Sequence, residues 1–248
     1  MKPSIFFVAA AAVVMIAGCN SKPGDAKTNA PVKWQQVTPP KGGNWTMVVN
    51  ATPAGGFMMG NPNAKVKLVE YGSLTCPHCK AFDDEGVPAL VNKYVKSGQV
   101  SWEFRNYVRD PFDLTASLIA RCNGAKGFFP LMRALYENQM GWVGKIQATP
   151  QAKLESLQNL PPTQEFVQAA KFAGLQDFAS ARGVPVAKSN QCLSNESSIN
   201  QLVQMTSDAT NQFPNFPDTP TFVINGKMVE DTATWALLEP ALKKALGG

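Results

Sequence analysis

The sequence predicts an α/β fold split by a long helical insertion, and three observations predict it. An apolar, β-branched run at residues 66–71 (VKLVEY) leads almost directly into a Cys-Pro-His-Cys stretch that opens a helix. A strand–turn–strand pattern, TFVINGK, appears only near the C-terminus, at residues 221–227. Between these two pieces, residues 109–213 carry helical periodicity alone.

The first eighteen residues read as a leader, outside the fold. Lys2 supplies a positive start, and residues 5–16 (IFFVAAAAVVMI) form an apolar run too short for a comfortable membrane span. Ile16-Ala17-Gly18-Cys19 resembles a bacterial lipobox, which implies that Cys19 is lipidated and becomes the new N-terminus. An ordinary secretory leader with an incidental cysteine is the alternative. Either reading sends the mature chain to an oxidising compartment, where disulfides persist. Residues 19–43, rich in Lys, Pro, Gly, Thr and Asn, read as a flexible tether.

The rest divides into residues 44–108 and 214–248, the α/β part, and residues 109–213, the helical insertion. A composition 44% hydrophobic and 17% charged excludes a disordered chain and supplies a core for a domain of this size. The net charge of +5 is scattered, so no basic run marks a nucleic-acid face.

Taken in order, residues 45–50 form a short candidate strand. Residues 55–63, which include Met58 and Met59, read as a Gly/Pro/Asn-rich connection. Residues 66–71 form a buried strand. Pro77 suits the first position of the next helix, where its missing N–H has no partner to lose. That helix carries Phe82, Val87, Leu90, Val91, Tyr94 and Val95, is kinked at Pro88, and stops near Gly98. Residues 100–108 alternate apolar and polar, as a strand does. Asp110-Pro111 reads as a helix cap. Helical stripes follow at Leu114, Leu118 and Cys122, at Leu131, Met132 and Leu135, and from Ile199 to Phe213. Phe128, Phe129 and Trp142 read as core of the helical part in preference to a peptide groove. Residues 221–225 and 227–230 pair across an Asn225-Gly226 turn, and a helix over residues 233–246 closes the chain. The strands on either side of the insertion are expected to share one sheet.

Four cysteines remain in the mature chain, Cys76, Cys79, Cys122 and Cys192, and its single histidine, His78, lies between the first two. Cys-x-x-Cys at a strand-to-helix junction has a redox logic. One helical turn brings the sulfurs within bonding reach. A cysteine at the N-cap meets free N–H groups and the positive end of the helix dipole, which favour its thiolate, and a protonated His78 would add to that. Zinc is a competing reading, but such a site usually takes four ligands. A plain structural bond between Cys76 and Cys79 is another, although so short a loop gains little chain entropy.

LVEYGSLTCPHC, followed far downstream by TPTFVINGK, resembles the DsbA-like branch of the thioredoxin superfamily across nearly all of residues 44–248. The resemblance implies a thioredoxin fold with a helical insertion domain, and a periplasmic enzyme that introduces disulfides into exported proteins. Cys76 would be the exposed nucleophile and Cys79 the resolving thiol, with Pro77 and His78 between them. Pro220 would be a cis proline presenting the Thr219 backbone to substrate, against the alternative of an ordinary trans proline. Glu70 would be a buried acid relaying a proton near Cys79, against the alternative of a solvated edge residue. Cys122 and Cys192 would form a second, structural disulfide, against two separate buried thiols. The implied partners are exported proteins with free thiols and a membrane quinone-linked reoxidase. The chain would act as a monomer, held to the membrane through the lipid on Cys19, with no nucleic acid, cofactor or metal. Thr219 before the proline is also common in the isomerase and reductase branches, so a disulfide isomerase or reductase kept reduced by a membrane partner is the alternative. A metallochaperone or peptide-binding module on the same scaffold is a more distant one.

Overall fold

The computed structural model describes residues 36–248, which fall within one compact unit. The leader, Cys19 and the first part of the expected tether lie outside the described residues.

Six strands form one sheet in the order β1-β2-β4-β3-β5-β6. They are β1 (Val49–Ala51), β2 (Phe57–Gly60), β3 (Val66–Gly72), β4 (Val100–Asn106), β5 (Thr221–Ile224) and β6 (Lys227–Val229). The two pieces separated by the insertion do share the sheet: β3 runs parallel to β4 and antiparallel to β5, so it lies at the centre. After β3 come α1 (Pro77–Glu85), the single turn α2 (Val87–Ala89) and a π-helical stretch, Leu90–Val95. The break after Glu85, one residue before α2 with Pro88, is the expected kink.

Eight helices separate β4 from β5: α3 (Pro111–Arg121), α4 (Gly124–Glu137), α5 (Gln139–Gln147), α6 (Gln151–Leu157), α7 (Pro162–Phe172), α8 (Leu175–Ser180), α9 (Val186–Leu193) and α10 (Glu196–Gln212). Asp110 caps α3 by accepting from the N–H groups of Phe112 and Asp113, both at 2.8 Å, with Pro111 at the first position. Asn195 caps α10 through Ser198 N–H. Asn225 and Gly226 take positive φ values of 49° and 81°, as a two-residue hairpin requires. The last helix is α11 (Trp235–Ala245).

One face of the sheet carries Phe57, Glu70, Trp102, Phe104 and Phe222, aligned by register. It is covered by Phe82 of α1 and by Phe128 and Phe129 of α4, whose rings lie 4.6, 4.5 and 4.8 Å from those of Phe222, Phe57 and Trp102. The aromatics of α4 are therefore core, and Trp142 is buried with them. On the other face Tyr71 and Val223 pack with Ala209 of α10. A single cluster of buried side chains runs from the sheet through α1 into α3, α4, α7 and α9, without a break where the insertion begins.

Three local expectations differ from the structure. Residues 45–50 are not a continuous strand: a 3-10 turn, Trp45–Met47, is capped by Asn44 and only then does β1 begin. The expected connection at residues 55–63 contains β2, because Phe57 and Met59 find cross-strand partners on β1 and β4 that no local pattern announces. The tether does not extend to residue 43. Val37 N–H donates to Ser97 O and Val37 O accepts from Trp45 Nε1, both at 2.8 Å, so the chain is docked from Val37 onward. Among the described residues no helix is long and apolar enough to cross a membrane.

Candidate active site

The central strand β3 delivers the chain to a short loop, Ser73 to Thr75, and Cys76 follows as the N-cap of α1. Gly72 ends the strand where a Cβ would lie 2.5 Å from the Phe104 ring and 3.3 Å from the Tyr136 hydroxyl, so only glycine fits. Pro77 occupies the first helical position and Cys79 lies within the first turn. Both thiols are free.

Cys76 was expected to be exposed and is not: its relative exposure is 1%. The cause is the Thr219 segment, which comes in from the far end of the chain and lies over it. The Thr219–Pro220 peptide is cis, and the Thr219 carbonyl accepts the Cys76 thiol at 3.1 Å. Cys79 is fully buried and its sulfur accepts Ser73 N–H at 3.5 Å.

These surroundings separate the two sulfurs electrostatically. A hydrogen bond from the Cys79 thiol, together with the backbone N–H groups of Cys79 and His78, pulls Cys76 down to about 5 against the opposing effect of burial. Burial pushes Cys79 well above its ordinary value, and the neighbouring Cys76 adds to that. His78 acts on the sulfur through its backbone N–H. Its side chain is exposed and lines a groove of about 480 Å³ with Pro217, Asp218, Thr219 and Pro220.

Glu70 is 2% exposed on the central strand, so the solvated-edge alternative fails. Its Oε2 accepts Trp102 Nε1–H at 2.9 Å. Burial raises its pKa well above the carboxylate range, the nearby Asp83 raises it further, and the Trp102 bond opposes both. Cys79 senses its charge. Burial thus favours the protonated form of both groups. Asp83 lies one turn after Cys79 on α1, is 2% exposed, and is pushed up to about 6 by burial against the Arg133 Nε bond at 3.3 Å.

Sequence reasoning did not find the side chains that brace the loop before Cys76. Asp113 Oδ1 accepts Leu74 N–H at 2.8 Å, Tyr136 donates to Ser73 O at 3.1 Å, and Thr75 Oγ1 donates to Asp110 Oδ2 at 3.1 Å. Asp110 was legible as a helix cap, but its second role depends on α3 lying beside the loop. Met58 and Met59 belong to β2 and its pairing with β1 and β4.

Cys122 and Cys192 are joined in a disulfide, Cα atoms 5.7 Å apart across 70 residues, tying the end of α3 to α9. Cys122 was expected to be buried on the α3 stripe. It lies just past the end of α3 and is half-buried, as is Cys192. Among the described residues no three His, Cys, Asp or Glu side chains converge on one point, so Cys76 and Cys79 have no further zinc ligands there.

A family model described as Thioredoxin matches residues 52–244, and the chain belongs to that thioredoxin family. It is 36% identical to a protein-disulfide isomerase from Novosphingobium aromaticivorans, covering 77% of this chain and 97% of that one, with a TM-score of 0.73. Alpha-DsbA1 of Wolbachia pipientis shares the fold, with a TM-score of 0.62 at 21% identity over 77% of this chain and 90% of that one. A Rickettsia bellii relative, whose name carries the words protein-disulfide oxidoreductase, is 28% identical over 176 residues. Those residues are 71% of this chain and 59% of that relative, so the chain spans about three-fifths of its length.

Proposed function

We propose that this chain is a thiol–disulfide oxidoreductase that introduces disulfides into exported proteins through Cys76 and Cys79. The observation that carries the reading is the setting of Cys76. Its sulfur sits at a helix N-cap among hydrogen-bond donors that draw its pKa to about 5, while burial holds the Cys79 thiol protonated. Stabilising the reduced pair makes the oxidised pair a strong acceptor of electrons.

The reaction runs in two exchanges. A substrate thiolate attacks the Cys76 sulfur of the Cys76–Cys79 disulfide, forming a mixed disulfide, and Cys79 leaves and takes up a proton. A second substrate thiolate attacks the substrate sulfur of that mixed disulfide and expels Cys76 as a thiolate. The substrate gains one disulfide and loses two electrons, which the protein now holds as two reduced cysteines. A depressed Cys76 pKa makes it a good leaving group in the second exchange. Glu70 gives or takes the proton of Cys79, and Thr219 and Pro220 present backbone to the incoming chain beside the groove. A membrane quinone-linked partner would then reoxidise the pair.

The lipobox at Cys19 supports placing the protein in the periplasm, held to the membrane by lipid. Its anchoring is tested by following the mature protein between membrane and soluble fractions when Cys19→Ser replaces the lipidated residue. A variant that stays on the membrane removes the anchor.

One observation favours a second reading, the isomerase. The relative from Novosphingobium aromaticivorans is named a protein-disulfide isomerase. Equilibration with glutathione buffers separates the two. A potential near about −120 mV, with rapid oxidation of a reduced unfolded substrate, supports the oxidase. A potential of about −180 mV with repair of a scrambled substrate supports the isomerase, and one of about −270 mV supports a reductase.

A further inference from the structure

We propose that Gln139, the first residue of α5, is a positioning residue for this exchange, holding in place the backbone that carries the Cys76 sulfur. The inference rests on the reading of Cys76 as the nucleophile. Gln139 is 2% exposed. Its single amide nitrogen donates to two carbonyls at once, Leu74 O at 2.8 Å and Cys76 O at 2.9 Å. These carbonyls flank Thr75, so one side chain clamps the loop on both sides of its turn. Cys76 O also accepts Lys80 N–H at 3.2 Å, the bond that starts α1. The amide therefore grips the peptide at which loop becomes helix.

The clamp belongs to the helical layer. Gln139 follows α4 after one residue, Asn138, and α4 supplies Tyr136 to Ser73 O. Asp113 of α3 holds Leu74 N–H. Leu74 thus has its N–H and its carbonyl taken by two different helices. Gln139 alone among these reaches the backbone of Cys76 itself.

Removing the amide would act on the redox equilibrium as well as on the fold, because the two redox states depend on it unequally. In the reduced protein the Cys76 thiolate is held by non-covalent donors, the Cys79 thiol and the N–H groups of the first turn, whose strength falls steeply as geometry degrades. In the oxidised protein the same sulfur is held covalently by Cys79. Slack in the Cys76 backbone costs the reduced state its thiolate stabilisation and costs the oxidised state little beyond one unsatisfied carbonyl, that of Leu74, since Cys76 O keeps its bond from Lys80 N–H.

The test is Gln139→Met, which keeps the length and buries no donor. Three quantities are read on the full mature chain: the equilibrium constant with glutathione, the thiolate absorbance of Cys76 at 240 nm against pH, and the urea midpoints of the oxidised and reduced forms. The expected result is a shift of about tenfold in the equilibrium constant toward a less oxidising protein, ~30 mV. The thiolate midpoint moves upward, and the reduced form loses more stability than the oxidised one. Equal loss in both forms, with the constant and the titration unmoved, would overturn the proposal and leave Gln139 a residue of the fold alone. If Gln139→Met does not fold, the same readings are taken on Gln139→Ala, in whose space water can reach the carbonyls. There too, an unmoved constant and titration would overturn the proposal. A wild-type Cys76 that titrates as an ordinary thiol would instead sink the reading of Cys76, whatever the variants do.

Discussion

The indole of Trp102 on β4 donates its N–H to Oε2 of Glu70 on the neighbouring strand β3, at 2.9 Å, inside the apolar face of the sheet. A carboxyl at 2% exposure is thereby given one polar partner, and no cation bonds to it among the described residues. One donor does not replace water around a charged carboxylate, so the group favours its protonated form.

Glu70→Gln keeps the Trp102 bond and removes the exchangeable proton. The rate at which the reduced pair is oxidised by a small disulfide at pH 7 is expected to fall by roughly 100-fold, the low end of general acid–base effects. Stopped-flow tryptophan fluorescence reads it, and an unchanged rate removes Glu70 from the proton path. The variant is also expected to be the more stable protein at high pH. A carboxyl whose folded pKa is raised contributes stability at low pH and loses it as the pH rises through that value.

Cys76 has the opposite sign. Its folded pKa, about 5, lies below the ordinary thiol value, so its contribution to the reduced form is complete above that ordinary value. It is lost as the pH falls through about 5. Urea unfolding of the reduced and oxidised forms is expected to show the reduced form ahead at pH 7 by up to about 3 kcal/mol, on the order of 1.4 for each pH unit above the folded value. The gap should shrink toward pH 4.5. A gap independent of pH would contradict the assignment of the thiolate.

Asp83 is pushed up to about 6 from 3.8, and its Oδ1 has no hydrogen-bond partner. Its ionisation therefore opposes folding: the stability linked to its protonated form is present below about 4 and lost as the pH rises through about 6. Asp83→Asn is expected to raise stability at pH 7 by about 1–3 kcal/mol. Near pH 4 it should leave stability unchanged. Arg133 keeps its solvation, since its side chain is 37% exposed. Thermal midpoints at the two pH values decide it, and a destabilised variant at pH 7 would mean that the Arg133 pair outweighs burial.

The Cys122–Cys192 bond closes a long loop, its ends 70 positions apart in the sequence. Replacing both cysteines with alanine is expected to cost about 4 kcal/mol by the chain-entropy account. The Cys76 thiolate titration should not move, because the disulfide joins the far end of α3 from Asp113, the residue that touches the active loop. Denaturant unfolding gives the first quantity and absorbance at 240 nm the second. A moved titration would show that α3 transmits the loss.

How far the site could be read in advance depended on the distance over which each signal acts. Cys76 at a helix N-cap, Pro77 at the first position and the Asn225–Gly226 turn are set by residues a few positions apart, and all were legible. Phe57 and Met59 looked like part of a connection because three residues of apolar sequence among glycines make no period. Pairing with β1 and β4 turned them into a strand. Val37 looked like tether for the same reason, since Ser97 and Trp45 hold it from a distance.

By itself, the sequence determined that two cysteines and a histidine open a helix after a buried strand, that the sheet is interrupted by helices, and that its last hairpin turns tightly. Each follows from local propensity, spacing or periodicity. Only the tertiary structure decided that Thr219 covers Cys76, that Glu70 meets an indole, and that Gln139 holds two loop carbonyls. Cys76 and Thr219 lie 143 residues apart and Cys76 and Gln139 lie 63 apart. No periodicity specifies which amide will meet which carbonyl over such distances. That is set when the helices pack onto the sheet and every buried polar group must find a partner.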